Sequence, residues 1–268
     1  FFLTRKNLID LKYLFIIFAV LFIALLLAKN NEDFPYYHLP NSLQFAQQKL
    51  QFGLGNLNHG FKHISSLFML MSLNYLPVFE YYLFNVTNYL FLVFFVTFLI
   101  KEIFFRKNTN LNLSQILLMF SLILFLTKFS RLAEYGADIA SQILIIICFF
   151  YLIESHLNNK LDIKTKINYY KLFLILITFA ITTKFIYVIY LFLLIPLILS
   201  YKKNKKIFFN LLNYRFLVIV TLPVLFLLFF NFASTGCLIY PVEQLCFSSR
   251  FEWALTSEVV SYLNFYYE

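Results

Sequence analysis

Charge is scarce in this 268-residue chain. Asp, Glu, Lys and Arg together supply 13% of it, about half the share of a typical soluble domain. Hydrophobic residues take 61%, and a globule of this size has no interior large enough to hide so much apolar surface. Disorder is excluded by the same shortage, because it needs low hydrophobicity and high charge. Glycine and proline number only 5 and 6, so loops should be short and apolar runs mostly unbroken. With 3 cysteines, neither a disulfide scaffold nor a zinc site of ordinary ligand spacing fits. What remains is an all-α, polytopic transmembrane helical bundle, a single domain over 1–268.

Aromatics are abundant at 21%, nearly all of them the 37 Phe and 19 Tyr. The net charge is +9, yet nucleic acid is excluded as a partner. The basic residues sit in short runs between apolar stretches, where a membrane protein carries them. The chain starts at Phe1 without Met and stops at Glu268, and is expected to be a piece of a longer protein.

About seven spans are expected: residues 11–28, 79–100, 113–127, 139–153, two within the apolar block 169–200, and 216–232. As one helix, the block of 32 residues would rise about 48 Å at about 1.5 Å per residue, too long for about 30 Å of hydrocarbon unless strongly tilted. A hairpin breaking at Thr182-Thr183-Lys184 resolves this, and charge supports it. With the hairpin, 15 of the 22 basic residues gather on one side, among them Arg106, Lys107, Lys160, Lys202 and Lys203. The other side holds Lys29, Lys49, Lys62, Lys128, Arg131, Lys184 and Arg250. The excess of positive charge places the first side, and the N-terminus, in the cytoplasm. Lys184 then tips the outer turn. Its alternative is to snorkel to the headgroups.

No ionisable residue falls mid-span in this assignment, which argues against an ion-coupled transporter. The polar chemistry collects outside, in a first outer loop (29–78), at Lys128–Asp138, at Lys184 and in a segment after the last span (233–268). The first loop carries Glu32-Asp33-Phe34-Pro35-Tyr36-Tyr37-His38. Asp33 could serve as general base or help hold a metal, and His38 could donate to a phosphate. The alternative is a solvated turn with Asp33 capping a helix. Next, Leu43, Ala46 and Leu50 fall on one stripe, suggesting an interfacial helix. His59 and His63 stand four apart, but Gly60 interrupts a helix there, so they read as loop residues. The lone Gly53-x-Gly55 lacks the spacing of a nucleotide loop. Glu134 and Asp138 would share a helical face and cluster with Arg131. Equally, they are acids at the positive end of a helix. Cys148 is expected in the core. Cys237 and Cys246 flank a short polar loop and could pair in an oxidising compartment.

Taken together, Glu32-Asp33 followed by Tyr37-His38-Leu39-Pro40 after a first span, Arg131-Leu132-Ala133-Glu134-Tyr135-Gly136-Ala137-Asp138, and Ser234–Pro241 with Cys246 and Trp253 resemble the GT-C superfamily. These are polytopic glycosyltransferases, commonly longer and with a soluble outer domain, that use lipid-phosphate-linked sugars. The resemblance implies a polyprenyl-phosphate sugar donor and a glycan, lipid or protein acceptor. It implies a site on the periplasmic face of a bacterial inner membrane, and inversion at the anomeric carbon. It implies Asp33 as general base with Glu32 in reserve. Lys184, Arg131 and His38 would bind the donor phosphate, and Glu134 and Asp138 would contact substrate or a divalent cation. A non-catalytic membrane scaffold and a transporter of lipid-linked substrate are the alternatives.

Overall fold

The computed structural model describes residues 5–28, 32–104, 112–128, 131, 134–158, 161–199 and 205–267. Lys29, Arg106, Lys107, Lys160, Lys202 and Lys203, which carry part of the charge argument, lie outside these residues. The described chain is helical and contains no β-strand. Among the described residues, three helical stretches are long and apolar enough to cross a membrane: Tyr81–Ile103, Asp138–Leu157 and Tyr214–Thr235. Lys12–Leu26, Leu113–Thr127 and Phe185–Leu199 are apolar but shorter. Among the described residues, three of the seven expected spans therefore meet both criteria.

The core forms around α6 (Asp138–Leu157) and α7 (Ile163–Thr183). Asp162 starts α7 by accepting from the Thr165 amide at 3.4 Å, satisfying one of the orphan donors of a first turn. Cys148, Tyr170, Phe173 and Ile177 are almost fully buried between the two helices. At its far end α7 stops at Thr182 and Thr183, whose hydroxyls turn back onto the carbonyls of Phe179 and Ala180. Such back-bonding competes with the helical ladder. Lys184 follows in an extended conformation.

Beyond Lys184 the chain returns along α7, and Leu193 and Leu197 join the same core cluster as Phe173 and Ile177. A hairpin therefore forms, but its return limb is unusual. Ten residues, Phe185–Leu194, are 3₁₀-helical, where more than three or four is uncommon. Five α-helical residues follow as α8 (Ile195–Leu199). The 3₁₀ rise of about 2.0 Å per residue lengthens this limb to about 27 Å, against about 22 Å for an all-α path. A segment too short to cross hydrocarbon as an α-helix thereby approaches the necessary length.

Around this pair stand α1 (Arg5–Leu26), α4 (Val86–Phe104), α5 (Leu113–Thr127) and α10 (Tyr214–Thr235). Leu92, Phe95, Leu118, Phe125 and Ile143 fill the interface of α4, α5 and α6. The outer faces of these helices are bare hydrocarbon: Phe15 is 71% exposed, Phe94 61% and Leu222 60%. Water would penalise so much exposed apolar surface, and lipid would not. A short α9 (Lys205–Leu211) precedes α10. At the other end of α10, Gly236 closes the helix in the left-handed region, its amide donating to Phe232. A side chain there would strike Ala254.

The long segment between α1 and α4 folds over one end of the bundle. It holds a π-helical turn (Phe34–His38), α2 (Leu39–Gln47), a 3₁₀ turn (His59–Lys62) and α3 (Ser66–Ser72). The expected interfacial helix is shorter than its stripe implied. It ends at Gln47, leaving Leu50 and Phe52 exposed beyond it. Leu43, Phe45 and Ala46 pack against a cluster containing Leu67, Phe68 and Met71. After α10, the segment 236–256 and α11 (Ser257–Tyr267) cover the same end. The segment is tied down by Asn56 Nδ2 donating to the Trp253 carbonyl at 2.7 Å, and the end of α10 by Ser234 Oγ donating to that of Phe61 at 2.6 Å.

Candidate functional site

A cavity of about 500 Å³ opens where the first long loop meets α6, α7 and α10. Local sequence explains each wall. In the π-helical turn, Asp33 stands at the N-cap without capping it. Its carboxylate instead accepts from the Tyr37 hydroxyl at 3.0 Å, so the capping alternative does not hold. Burial, reinforced by the Asp33 charge, pushes the Tyr37 phenol well above its ordinary range, and it stays protonated as Asp33's donor.

The second wall is the turn His59–Lys62. Asn58 begins it by accepting from the Gly60 amide at 2.9 Å. Asn41 Nδ2 bridges the carbonyls of Tyr37 and Gly60 at 2.7 and 2.8 Å, locking this turn onto the Asp33 turn. The approach is so close that a Cβ on Gly60 would lie 2.0 Å from the Tyr36 carbonyl oxygen. His59 opens this four-residue turn and His63 follows it, outside any helix. Gly60 sits inside a 3₁₀ turn, and the two imidazoles meet, Nε2 to Nε2, at 3.2 Å.

The third wall is the break after α7. Ser65 Oγ donates to the Thr183 carbonyl at 2.6 Å, and Ser141 on α6 shares a hydrogen bond with the Thr183 hydroxyl at 2.6 Å. These bonds fix the turn that presents Lys184. Lys184 forms an ion pair with Asp138, the first residue of α6. Asn231 of α10 and Tyr240 complete the lining.

Of the residues singled out from the sequence, Asp33, Asp138 and Lys184 are brought together on this cavity. Glu32 is exposed and does not line it. His38 is 3% exposed, packed among Tyr37, Phe68 and Gly136, with Nδ1 lacking a hydrogen-bond partner. Burial holds it down at about 4, against the pull of Asp33 and Asp138, so the ring is neutral near pH 7 and does not line the cavity.

Glu134 and Asp138 do not share a helical face, because α6 begins only at Asp138. Glu134 is buried and accepts from Arg131 Nε at 3.0 Å, while Asp138 turns to Lys184. Neither Arg131 nor Glu134 lines the cavity. Cys237 and Cys246 form a disulfide, closing the loop from which Ile239 and Tyr240 reach the cavity. Cys148 is a free, buried thiol in the core.

Sequence reasoning missed Lys62 and underrated the histidines. Lys62 lines the cavity with its ammonium 5.8 Å from the centre of the Tyr240 ring, its pKa lowered by burial. The available signal was Asn58 directly before His59-Gly60, an N-cap residue able to start a turn across the glycine. Among the described residues, no group of three or more His, Cys, Asp or Glu side chains is arranged to hold a metal ion.

The chain belongs to the family described as domain of unknown function DUF8201, which matches residues 2–267. No curated protein and no solved structure matches it.

Proposed function

We propose that the protein is a multi-pass membrane glycosyltransferase. It moves a sugar from a polyprenyl-phosphate-linked donor to a hydroxyl of a glycan, lipid or protein acceptor on the periplasmic face of a bacterial inner membrane. The observation that carries this reading is the lining of one cavity by a carboxylate, Asp33, and two ammonium groups, Lys62 and Lys184. Glycosyl transfer from a phosphate needs a base for the incoming hydroxyl and cations for the departing anion.

Asp33 takes the proton of the acceptor hydroxyl. The acceptor oxygen then attacks the anomeric carbon, and the bond from that carbon to the phosphate oxygen breaks. Polyprenyl phosphate leaves with the electron pair, and attack opposite to it inverts the centre. Tyr37 holds the Asp33 carboxylate in one orientation by donating to it. Lys184 and Lys62 face the phosphate as its charge grows, the role that contributes most when donors are preorganised. Lys184 is paired with Asp138, so a bound phosphate shares or replaces that partner. The cavity's cations are Lys184 and Lys62, not Arg131 or His38. The seven-span arrangement belongs to this proposal too, with the shorter apolar helices and the Lys184 hairpin crossing beside the three long helices.

The test is sugar transfer from polyprenyl-phosphate donors by membranes containing the protein. Asp33→Asn is expected to lower transfer by about 10²–10⁴-fold, the usual worth of a positioned base, and Glu32→Gln to leave it unchanged. Equal transfer by wild type and Asp33→Asn overturns the reading.

A further inference from the structure

We propose that His59 and His63 form a two-imidazole site for a borderline divalent metal ion of the zinc class, opening onto the cavity. The geometry carries it. Two nitrogens bound to tetrahedral zinc, each about 2.0–2.1 Å from the ion, stand about 3.3–3.4 Å apart. The two Nε2 atoms stand 3.2 Å apart, within the tolerance of about 0.2 Å expected of a metal site. That separation is the one two ligands of a single ion require. Without metal, one proton shared between the rings holds the same contact.

The charged neighbours of the pair act in opposite directions. Lys62 opposes a cation, whereas Asp33 lines the same cavity and supplies negative charge.

The backbone fixes the pair. The Asn58 cap on the Gly60 amide and the Asn41 bond to the Gly60 carbonyl set the turn. Tyr37 and Tyr240 stand beside the His63 ring, at 5.5 and 6.4 Å between ring centres. Two protein ligands leave the remaining positions of the ion open to water or to a phosphate or hydroxyl oxygen. The proposal does not depend on the glycosyltransferase reading.

Calorimetric zinc titration of the full chain, purified in detergent through a histidine-free tag, tests it. Wild type is expected to bind one equivalent saturably at neutral pH. His59→Ala and His63→Ala should each weaken binding by more than about tenfold, since even an outer-shell partner contributes about 10–100-fold. His156→Ala, altering an exposed histidine in the last turn of α6, should bind as wild type. Cobalt bound to wild type should show visible ligand-field absorption that the double variant lacks. Asp33→Asn should retain the zinc equivalent while losing transfer, which separates this site from the catalytic proposal. Absence of saturable binding by a monodisperse wild type overturns the site, as does undiminished binding by His59→Ala/His63→Ala.

Discussion

Ser65 donates its hydroxyl to the carbonyl of Thr183 at 2.6 Å, across 118 residues of sequence. The same Oγ accepts from the Leu67 amide at 3.1 Å and so caps α3. One buried side chain therefore starts the helix whose Phe68 lines the cavity and fixes the turn that presents Lys184.

Replacing Ser65 by alanine leaves the Thr183 carbonyl and the α3 cap unsatisfied in a buried place. The expected cost is about 1–3 kcal/mol, the penalty of an orphaned buried polar group, read as a lower thermal midpoint in detergent. The exposed Lys184–Asp138 pair behaves otherwise. Asp138→Asn should cost at most about 1 kcal/mol, because solvent screens a pair of this exposure. If the two variants are equally stable, Ser65 does not organise the turn.

Stability should depend on acid through His38. In the unfolded chain its imidazole protonates near 6.5, while burial delays this to about 4 in the folded protein. Between those values the unfolded state binds more protons. The contribution is full above pH of about 6.5, falls as pH drops, and is exhausted below about 4. The loss amounts to at most about 3 kcal/mol. Denaturant unfolding of wild type and His38→Leu across this range checks it, and the variant should show a flatter profile.

Thiol accounting follows from the cysteines. Cys237 and Cys246 are bonded and Cys148 is fully buried. Maleimide should therefore label no thiol in the native, unreduced protein and two after mild reduction. The Cys237→Ser/Cys246→Ser variant should lose about 2–4 kcal/mol of stability, detected as a lowered unfolding midpoint.

Much of the fold is legible in composition, because 61% hydrophobic residues leave few alternatives to an apolar helical bundle. The hairpin at Lys184 is legible for a related reason: the apolar block exceeds one bilayer crossing. Its 3₁₀ return limb is not legible, since Phe185–Leu194 has the same apolar pattern either helix would show, and packing on α7 decides. Asp33 and Lys184 stand out as polar residues beside apolar runs, and the structure brings both to one cavity. Glu134 was misjudged because spacing of four implies a shared face only within a helix, and α6 starts after it. The histidine pair was underrated because Gly60 signals a break. Its tolerance of a 3₁₀ turn depends on Asn41, which lies 19 residues away.

The proposed reaction requires the cavity to open to the non-cytosolic side. Single cysteines at Asp33 and at Lys184, in a chain whose Cys148 is serine and whose disulfide is kept, can be labelled with a membrane-impermeant maleimide. In right-side-out vesicles both positions should label without permeabilisation, and a cysteine at Lys205 should label only after it. Labelling of Asp33 and Lys184 solely after permeabilisation would place the cavity in the cytosol and contradict the account.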